Sequence, residues 1–330
     1  MKASPVVSNL EQTILEPYLK DLREIVDSEL AKLVSEISPF RLSEQMTYAM
    51  LSAGKRLRPI LTLLSVGSVG GSLQDAKSLA LSVEIMHAAT LVHDDILDRD
   101  SMRRGVPTVH EKWSVNDAIL TGDALLSLAL SLITNFSGEV LKAFSEAGMR
   151  LAEGEYMDLD PPNSISEEIY VERIKRKSAS LFRAATKCGA LAGKGSPSEI
   201  LALASFGENF GMAFQIRDDI LDITGPEEDL PNDLKEGRIT LPLVHLFNTM
   251  TAKEKTEFCK SINLSTEEEI LKRRTYFEEI LRRLKENGSI DYCKNKINHY
   301  AKTAIANIEP LKNSVYKEHL RKLAESLRLA

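Results

Sequence analysis

Asp94, Asp95 and Asp98, spelled D-D-I-L-D over 94–98, recur unchanged as Asp218, Asp219 and Asp222 over 218–222. On a helix, positions i and i+4 lie one above the other, so Asp94 shares a face with Asp98, and Asp218 with Asp222. Like charges at that spacing cost an isolated helix about 0.2–0.5 kcal/mol per pair, and in strongly apolar sequence an unpaired charge costs more. One copy alone reads as a solvated helix end or a first-turn cap. Two identical copies, with no further self-similarity at a fixed period, read as a pair of cation sites facing one cavity. Carboxylates without His or Cys suit Mg²⁺ or Mn²⁺, and Mg²⁺ typically takes one or two carboxylates together with substrate phosphates.

Basic residues stand at set places around these clusters. G-K-R-L-R-P over 54–59 puts Lys55, Arg56 and Arg58 between a helix-ending Gly54 and Pro59, which suits the first turn of the next helix. Taken by itself, the segment fits a solvated basic turn as well as a phosphate site, to which Lys and Arg beside a helix N-terminus are suited. His87 falls on roughly the face of Asp94 and is either a satisfied core histidine or part of the site. Arg103 and Arg104 follow the first cluster in a turn-rich segment, where they could simply neutralise the aspartates.

The elements that must position these residues are helical. Apolar residues at helical spacing predict an amphipathic helix over 10–37, ending before Pro39, and a second over 43–53. Asp75 is expected to cap a long apolar helix running to Asp98, with Glu84, His87 and His93 as interior ionisable groups that need partners. The stretch 118–133, interrupted by Gly122 and Asp123, is apolar on nearly all sides and predicts a central core helix. Further helices are expected over 138–158, before the Pro161-Pro162 break, and over 166–188. Ser196-Pro197 opens the one that leads into the second cluster. An acidic loop over 225–237 precedes a helical C-terminal part whose last helix spans 291–328. No segment reads as a strand. The expectation is an all-α fold, one domain over 1–330, a helical bundle around a deep central cavity.

Composition narrows the class. Lys and Arg number 42 against 48 Asp and Glu, a net charge of −6 that argues against nucleic-acid binding. Cys188, Cys259 and Cys293 have neither paired nor metal-ligand spacing and point to a reducing compartment. The N-terminus lacks the apolar core of a secretion signal and no run reaches the length of a membrane span, so a cytoplasmic location is expected.

Carboxylate clusters, cations and long apolar helices together describe a polar mouth that holds diphosphates through metal ions and an apolar interior that holds hydrocarbon. The sequence resembles the trans-polyprenyl diphosphate synthases. G-K-R-L-R-P, H-D-D-I-L-D-x-x-x-x-R-R-G, K-S-A-x-L-F, F-Q-I-R-D-D-I-L-D and D-L-K-E-G-R-I-T-L-P stand in that family's order across 54–242. The resemblance implies a homodimer of the isoprenoid-synthase type that condenses isopentenyl diphosphate head-to-tail with an allylic diphosphate. It implies that Asp94, Asp98 and Asp218 ligate three Mg²⁺ ions on the allylic diphosphate, with Asp95, Asp219 and Asp222 holding waters or an outer layer. Arg103, Lys177 and Gln215 would contact the allylic substrate, and Lys55, Arg58, His87 and Arg104 would bind isopentenyl diphosphate. Ser178 stands where the family usually has Thr and keeps its hydroxyl. The loop after the second cluster lacks the family's Gly-Lys, leaving Lys235 and Arg238 as the nearest cations, with Arg238 matching a second family lysine.

The chemistry suits this assignment. Ionising the carbon–oxygen bond leaves a diphosphate, which cations stabilise, and an allylic cation that apolar walls must keep from water. On that resemblance Asp94, Asp98, Asp218, Lys177 and Arg103 would carry that step, and the departing diphosphate can take the proton. A class I terpene cyclase would lack the site formed by Lys55, Arg58 and Arg104, and an inactive regulatory subunit would have lost aspartates that this chain retains. Product length is expected to follow the helix before the first cluster, where Ala89 and Thr90 lie about 6–8 Å below Asp94 and Met86 about 12 Å below. Two small residues before a flexible Met predict products of twenty carbons or more, with a farnesyl-length product as the alternative.

Overall fold

The computed structural model describes residues 13, 16–33, 37–51, 54–159, 165–224, 233, 237–262 and 274–329. Pro17–Leu33 (α1) presents Leu19, Leu22, Val26 and Leu30 to the interior at the three-to-four spacing of a helix with one apolar face. Phe40–Leu51 (α2), Leu57–Ser68 (α3) and Lys77–Asp98 (α4) follow, then a hairpin of Met102–Arg103 (β1) and Val106–Pro107 (β2). Val109–Lys112 (α5), Val115–Leu132 (α6), Gly138–Asp158 (α7) and Glu167–Ile174 (α8) lead to a π-helical turn, Lys175–Ala179. It runs on into Ser180–Ala192 (α9), and Pro197–Ile223 (α10) comes next. The C-terminal part comprises Leu241–Thr249 (α11), Ala252–Ile262 (α12), Arg274–Glu286 (α13), Ser289–Ile308 (α14) and Val315–Leu327 (α15).

Helix starts are written in the chain. Ser196 and Glu199 form a reciprocal capping box with Pro197 in the first turn of α10, and serines 114, 137, 166 and 314 cap α6, α7, α8 and α15. One apolar cluster runs from Leu19 to Leu327. At its centre α3 buries every residue except Arg58 and crosses α9, where a side-chain carbon on Gly189 would come within 2.5 Å of the Thr62 carbonyl. Helix α9 packs in turn on α10, and α10 on α14. Phe206, Phe210 and Phe214, one turn apart on α10, gather Phe182 of α9 with ring centroids 5.3–6.5 Å apart. Each fully buried ring contributes about 1.5–3 kcal/mol by leaving water.

Several expectations are corrected. The buried central helix is α3, not 118–133. Helix α6 packs on α2 and α4 through Ala118, Thr121, Gly122, Leu125 and Ala129, but Val115, Ile119, Leu120 and Leu130 face outward. An all-round apolar helix can satisfy one face within its own chain and leave the other for a second surface. By length and composition α6 could also cross a membrane, contrary to the expectation that no run reaches that length. In this fold its Asp117 accepts hydrogen bonds from Arg41, Gln45 and Ser114 at 2.6, 3.0 and 2.5 Å. A short hairpin occurs where no strand was expected, because Arg104 and Gly105 both adopt positive φ, 53° and 83°, as a two-residue turn of the I′ kind requires. Ala76, not Asp75, precedes α4, with no side-chain cap. The expected last helix over 291–328 is two, since Pro310 has no N–H to continue the ladder and Ser314 starts α15 afresh. Residues 10–12, 14–15 and 34–36 of the expected first helix, the Pro161-Pro162 break and most of the acidic loop, including Lys235, lie outside the described residues, and residue 37 is not helical.

Glu84, a buried carboxylate in need of a partner, finds it in Arg56. From a left-handed backbone position with φ 52°, Arg56 donates Nε to Asp27 (2.7 Å), Nη1 to Glu84 (2.8 Å) and Nη2 to the Met50 carbonyl (2.7 Å), tying α1, α2 and α4 to the head of α3. Removing one member of a buried pair costs about 3–5 kcal/mol because the other charge is stranded. Arg56→Ala should therefore lower unfolding free energy in urea by an amount at the low end of that range, since Arg104 also faces Glu84. Adding Glu84→Leu to it should recover most of the loss.

Candidate active site

Helices α4 and α10 bring the two aspartate clusters to the walls of one cavity of about 810 Å³. Asp94 and Asp98 line it from α4 and Asp218 from α10. Their immediate neighbours turn into the bundle. Asp95 is buried against Arg103, whose Nε donates to it and whose Nη2 donates to Asp100 at 3.2 Å. Buried Asp219 accepts from the Tyr170 hydroxyl at 2.6 Å and from Gln215 Nε2 at 2.9 Å, and Asp222 accepts the Asp233 N–H at 3.0 Å. Gln215 is oriented at its other end by the Ser178 hydroxyl, 2.6 Å from Oε1.

Basic residues converge on the same space. Lys55, Arg58, His87, Arg103, Arg104, Lys177 and Arg238 all line the cavity. Gly54 lets Arg104 cross in front of it, for a side-chain carbon there would meet Arg104 Nη1 at 2.8 Å. Arg58 stacks its guanidinium 4.3 Å from the Phe182 ring centre while its buried Nε lacks a hydrogen-bond partner. Arg238 pairs with Asp98. Lys177 projects from the π-helical turn, which inserts an extra residue per turn and so re-aims this segment. Gly154 of α7 makes room for the turn, since a side-chain carbon would sit 2.4 Å from the Lys177 nitrogen.

Burial sets the charge states. Asp218 is open to the cavity but enclosed by the bundle, and desolvation lifts its carboxyl to about 6 against the pull of Lys55. Asp94 is lifted likewise, by desolvation first and by Glu155 next, with Lys177 opposing. Desolvation, and then Arg58 and Arg104, push His87 well below the usual imidazole range, so it is neutral at physiological pH. Arg58 falls to about 10 through burial yet stays charged. Although burial works against the Lys177 ammonium, Asp158 and Glu155 hold it above the ordinary lysine range.

Asp94, Asp98 and Asp218 offer only hard oxygen donors, and a cation would keep ionised the Asp94 and Asp218 carboxylates that desolvation lifts, so the set fits Mg²⁺. Among the described residues no three His, Cys, Asp or Glu close on a metal ion by themselves.

Residues outside the motifs complete the site. Glu155 accepts from Lys177 Nζ at 2.8 Å, and Asp158 accepts from it too. Arg173 links Asp158, 3.0 Å away, to the Ile239 carbonyl beside Arg238. The i and i+3 carboxylates of E-Y-M-D, closing a helix with an apolar face, were the signal available for Glu155 and Asp158. Nothing local marks Tyr170 or Arg173. Of the positions expected to set product length, Thr90 lines the cavity, while Ala89 and Met86 are buried behind that wall, the Met86 methyl packing toward Gly148 of α7.

Residues 40–280 match the family model described as polyprenyl synthetase. The chain belongs to this family. The chain is 34% identical over 319 residues to the geranylgeranyl diphosphate synthase of Methanosarcina mazei, covering 93% of this chain and 95% of that one. It is 32% identical over 324 residues to the octaprenyl diphosphate synthase of Escherichia coli, covering 96% and 97%. Among solved structures it is similar to the geranylgeranyl pyrophosphate synthetase of Pyrococcus horikoshii, with a TM-score of 0.85, 32% identity and coverage of 98% and 99%. The all-α isoprenyl synthase fold and the prenyltransferase class follow.

The raised Asp218 carboxyl has a stability consequence. A carboxyl whose folded pKa exceeds its unfolded one favours the folded state most at low pH, and that contribution is lost as pH rises through the folded value, about 6 here. In chelator, Asp218→Asn should raise the melting temperature more at about pH 7.5 than at about pH 4. An equal shift at both values in calorimetry would show that burial does not strain this carboxylate.

Proposed function

We propose that one synthase domain over 1–330 joins isopentenyl diphosphate head-to-tail to an allylic diphosphate, giving an all-trans prenyl diphosphate of twenty carbons or more. The observation that carries this reading is a single cavity whose wall combines carboxylates and cations with Leu151, Leu181 and Phe214. Mg²⁺ held by Asp94, Asp98 and Asp218 would supply positive charge against the allylic diphosphate. Lys177 and Arg103 would donate to that diphosphate's oxygens as its negative charge grows, with Gln215 and Ser178 fixing the pose and Arg238 at the rim. Leu151, Leu181 and Phe214 would keep water from the allylic carbon. Lys55, Arg58 and Arg104 would hold isopentenyl diphosphate, and neutral His87 can donate one N–H to it without adding to the crowd of cations. A carbon–carbon bond forms as the allylic carbon–oxygen bond breaks, and the proton lost from the isopentenyl unit passes to the released diphosphate. Lys55, Arg58 and Arg104 in the cavity wall favour this reading over a cyclase, which needs no second diphosphate site.

Relatives named for geranylgeranyl and octaprenyl products support a chain of twenty carbons or more. The outward face of α6, with Met149 and Tyr156 exposed on α7, supports a homodimer. A cytoplasmic enzyme suits the net acidic charge and three cysteines without paired spacing. Incubation of purified protein with labelled isopentenyl diphosphate, each allylic primer and Mg²⁺ tests the reading, and no labelled product with any primer would refute it.

Two outcomes refine it. Arg58→Ala should raise KM for isopentenyl diphosphate and leave the allylic KM nearly unchanged, while Lys177→Ala does the reverse. Loss of one charge-assisted contact costs about 1.5–3 kcal/mol at the site that makes it, and steady-state kinetics with each substrate varied would show an even loss if the two sites were not distinct. Chromatography of the dephosphorylated products should show Thr90→Phe, in the cavity wall, shortening the main product. An unchanged distribution would mean that this face of α4 does not set length.

A further inference from the structure

The cation-rich end of the cavity reaches beyond the motifs and beyond the 40–280 match, to α1. Arg23, one turn before Asp27, lines the cavity together with Lys55, Arg58 and Arg104. Its Nε stands 3.7 Å from Asp27 Oδ2, too far for a hydrogen bond, and its side chain is 36% exposed. Asp27 spends its other oxygen on Arg56. Each nitrogen of Arg56 donates inward, whereas among the described residues no hydrogen bond reaches the Arg23 head. The two guanidinium groups thus have different tasks. Arg56 holds helices together, and Arg23 rests loosely on Asp27 with its head toward the cavity.

These groups form one continuous array. A side-chain carbon on Gly54 would lie 3.4 Å from Arg56 Nη1 and 2.8 Å from Arg104 Nη1, so Arg104 stands beside the Arg56 that shares Asp27 with Arg23. Arg23, Lys55, Arg56, Arg58 and Arg104 face Asp27, Glu84 and Asp218 here, five cations against three carboxylates, an excess of positive charge at a site where Arg58 also keeps a buried Nε without an acceptor. Both features call for an anion carrying more than one charge.

We infer that Arg23 is a further binding residue for isopentenyl diphosphate, closing over its diphosphate from α1. The inference rests on the reading of this cavity as a prenyl synthase site. Arg23 touches no reacting carbon, so it acts on affinity for one substrate and not on the bond-forming step.

Arg23→Gln and Arg23→Lys test it. Arg23→Gln should raise KM for isopentenyl diphosphate about tenfold, as loss of a charge-assisted contact predicts, while kcat, the allylic KM and the melting temperature stay within about twofold or a degree or two of wild type. Arg23→Lys should recover part of the loss. An unchanged isopentenyl KM, an equal rise in both KM values, or a fall in kcat accompanied by lower stability would overturn the assignment. Calorimetric titration of inorganic diphosphate in the presence of chelator separates this from the reading beneath it. If wild type turns over no primer, that reading fails, and weaker diphosphate binding by Arg23→Gln would still support an anion contact at Arg23, whereas unchanged binding would remove it.

Discussion

Holding like charges together in a medium that solvates them poorly is the constraint on which this structure depends. Three aspartates and several cations meet inside a bundle whose walls are otherwise apolar, and Coulomb energies that water would damp to about 1 kcal/mol grow several-fold there. The fold responds by giving nearly every charge a fixed counterpart or a fixed aim. Asp95 and Asp219 are paired or hydrogen-bonded within the protein, while Asp94 and Asp218 face the cavity, and desolvation raises all four carboxyls. The site is thus prepared for ligands that carry the missing opposite charge.

The same constraint orders the lining of the cavity. Cations come to it from α1, the head of α3 and the hairpin, and Phe206, Phe210 and Phe214 pack along α10 as it brings Asp218 and Gln215 to the same space. Arg58 rests its flat guanidinium on Phe182, an arrangement that keeps the charge aimed without neutralising it.

Local periodicity and spacing carried most of this into the sequence. The duplicated D-D-I-L-D, the i,i+4 geometry and the serine caps follow from short-range rules, and the structure assembles Lys55, Arg58, Lys177 and Arg238 with those aspartates around one cavity. The features hidden from the sequence depend on distant partners. Whether α3 or α6 is the buried helix cannot be read from apolarity alone, because both are apolar and only packing decides which face meets its own chain. Asp158, Arg173 and the Ile239 carbonyl meet across segments far apart in sequence, and no local pattern announces such a contact. The Arg104-Gly105 turn was legible in principle, since a Gly at the second turn position is a hairpin signal, but hairpins this short leave no alternation on either side.

The π-helical turn at Lys175–Ala179 has a meaning for how this site can change over evolutionary time. A substitution alters one side chain, but a π turn is an added residue in the backbone, and no series of point replacements elsewhere in the helix reproduces it. Losing that one codon would restore a regular, more comfortable helix and rotate everything before the join by about 100° relative to α9. Lys177 would then swing away from Glu155 and Asp158, and the snug seat at Gly154 would serve no purpose. The reading frame of the helix is itself inherited as part of the site, protected from gradual drift and exposed to single-residue deletion.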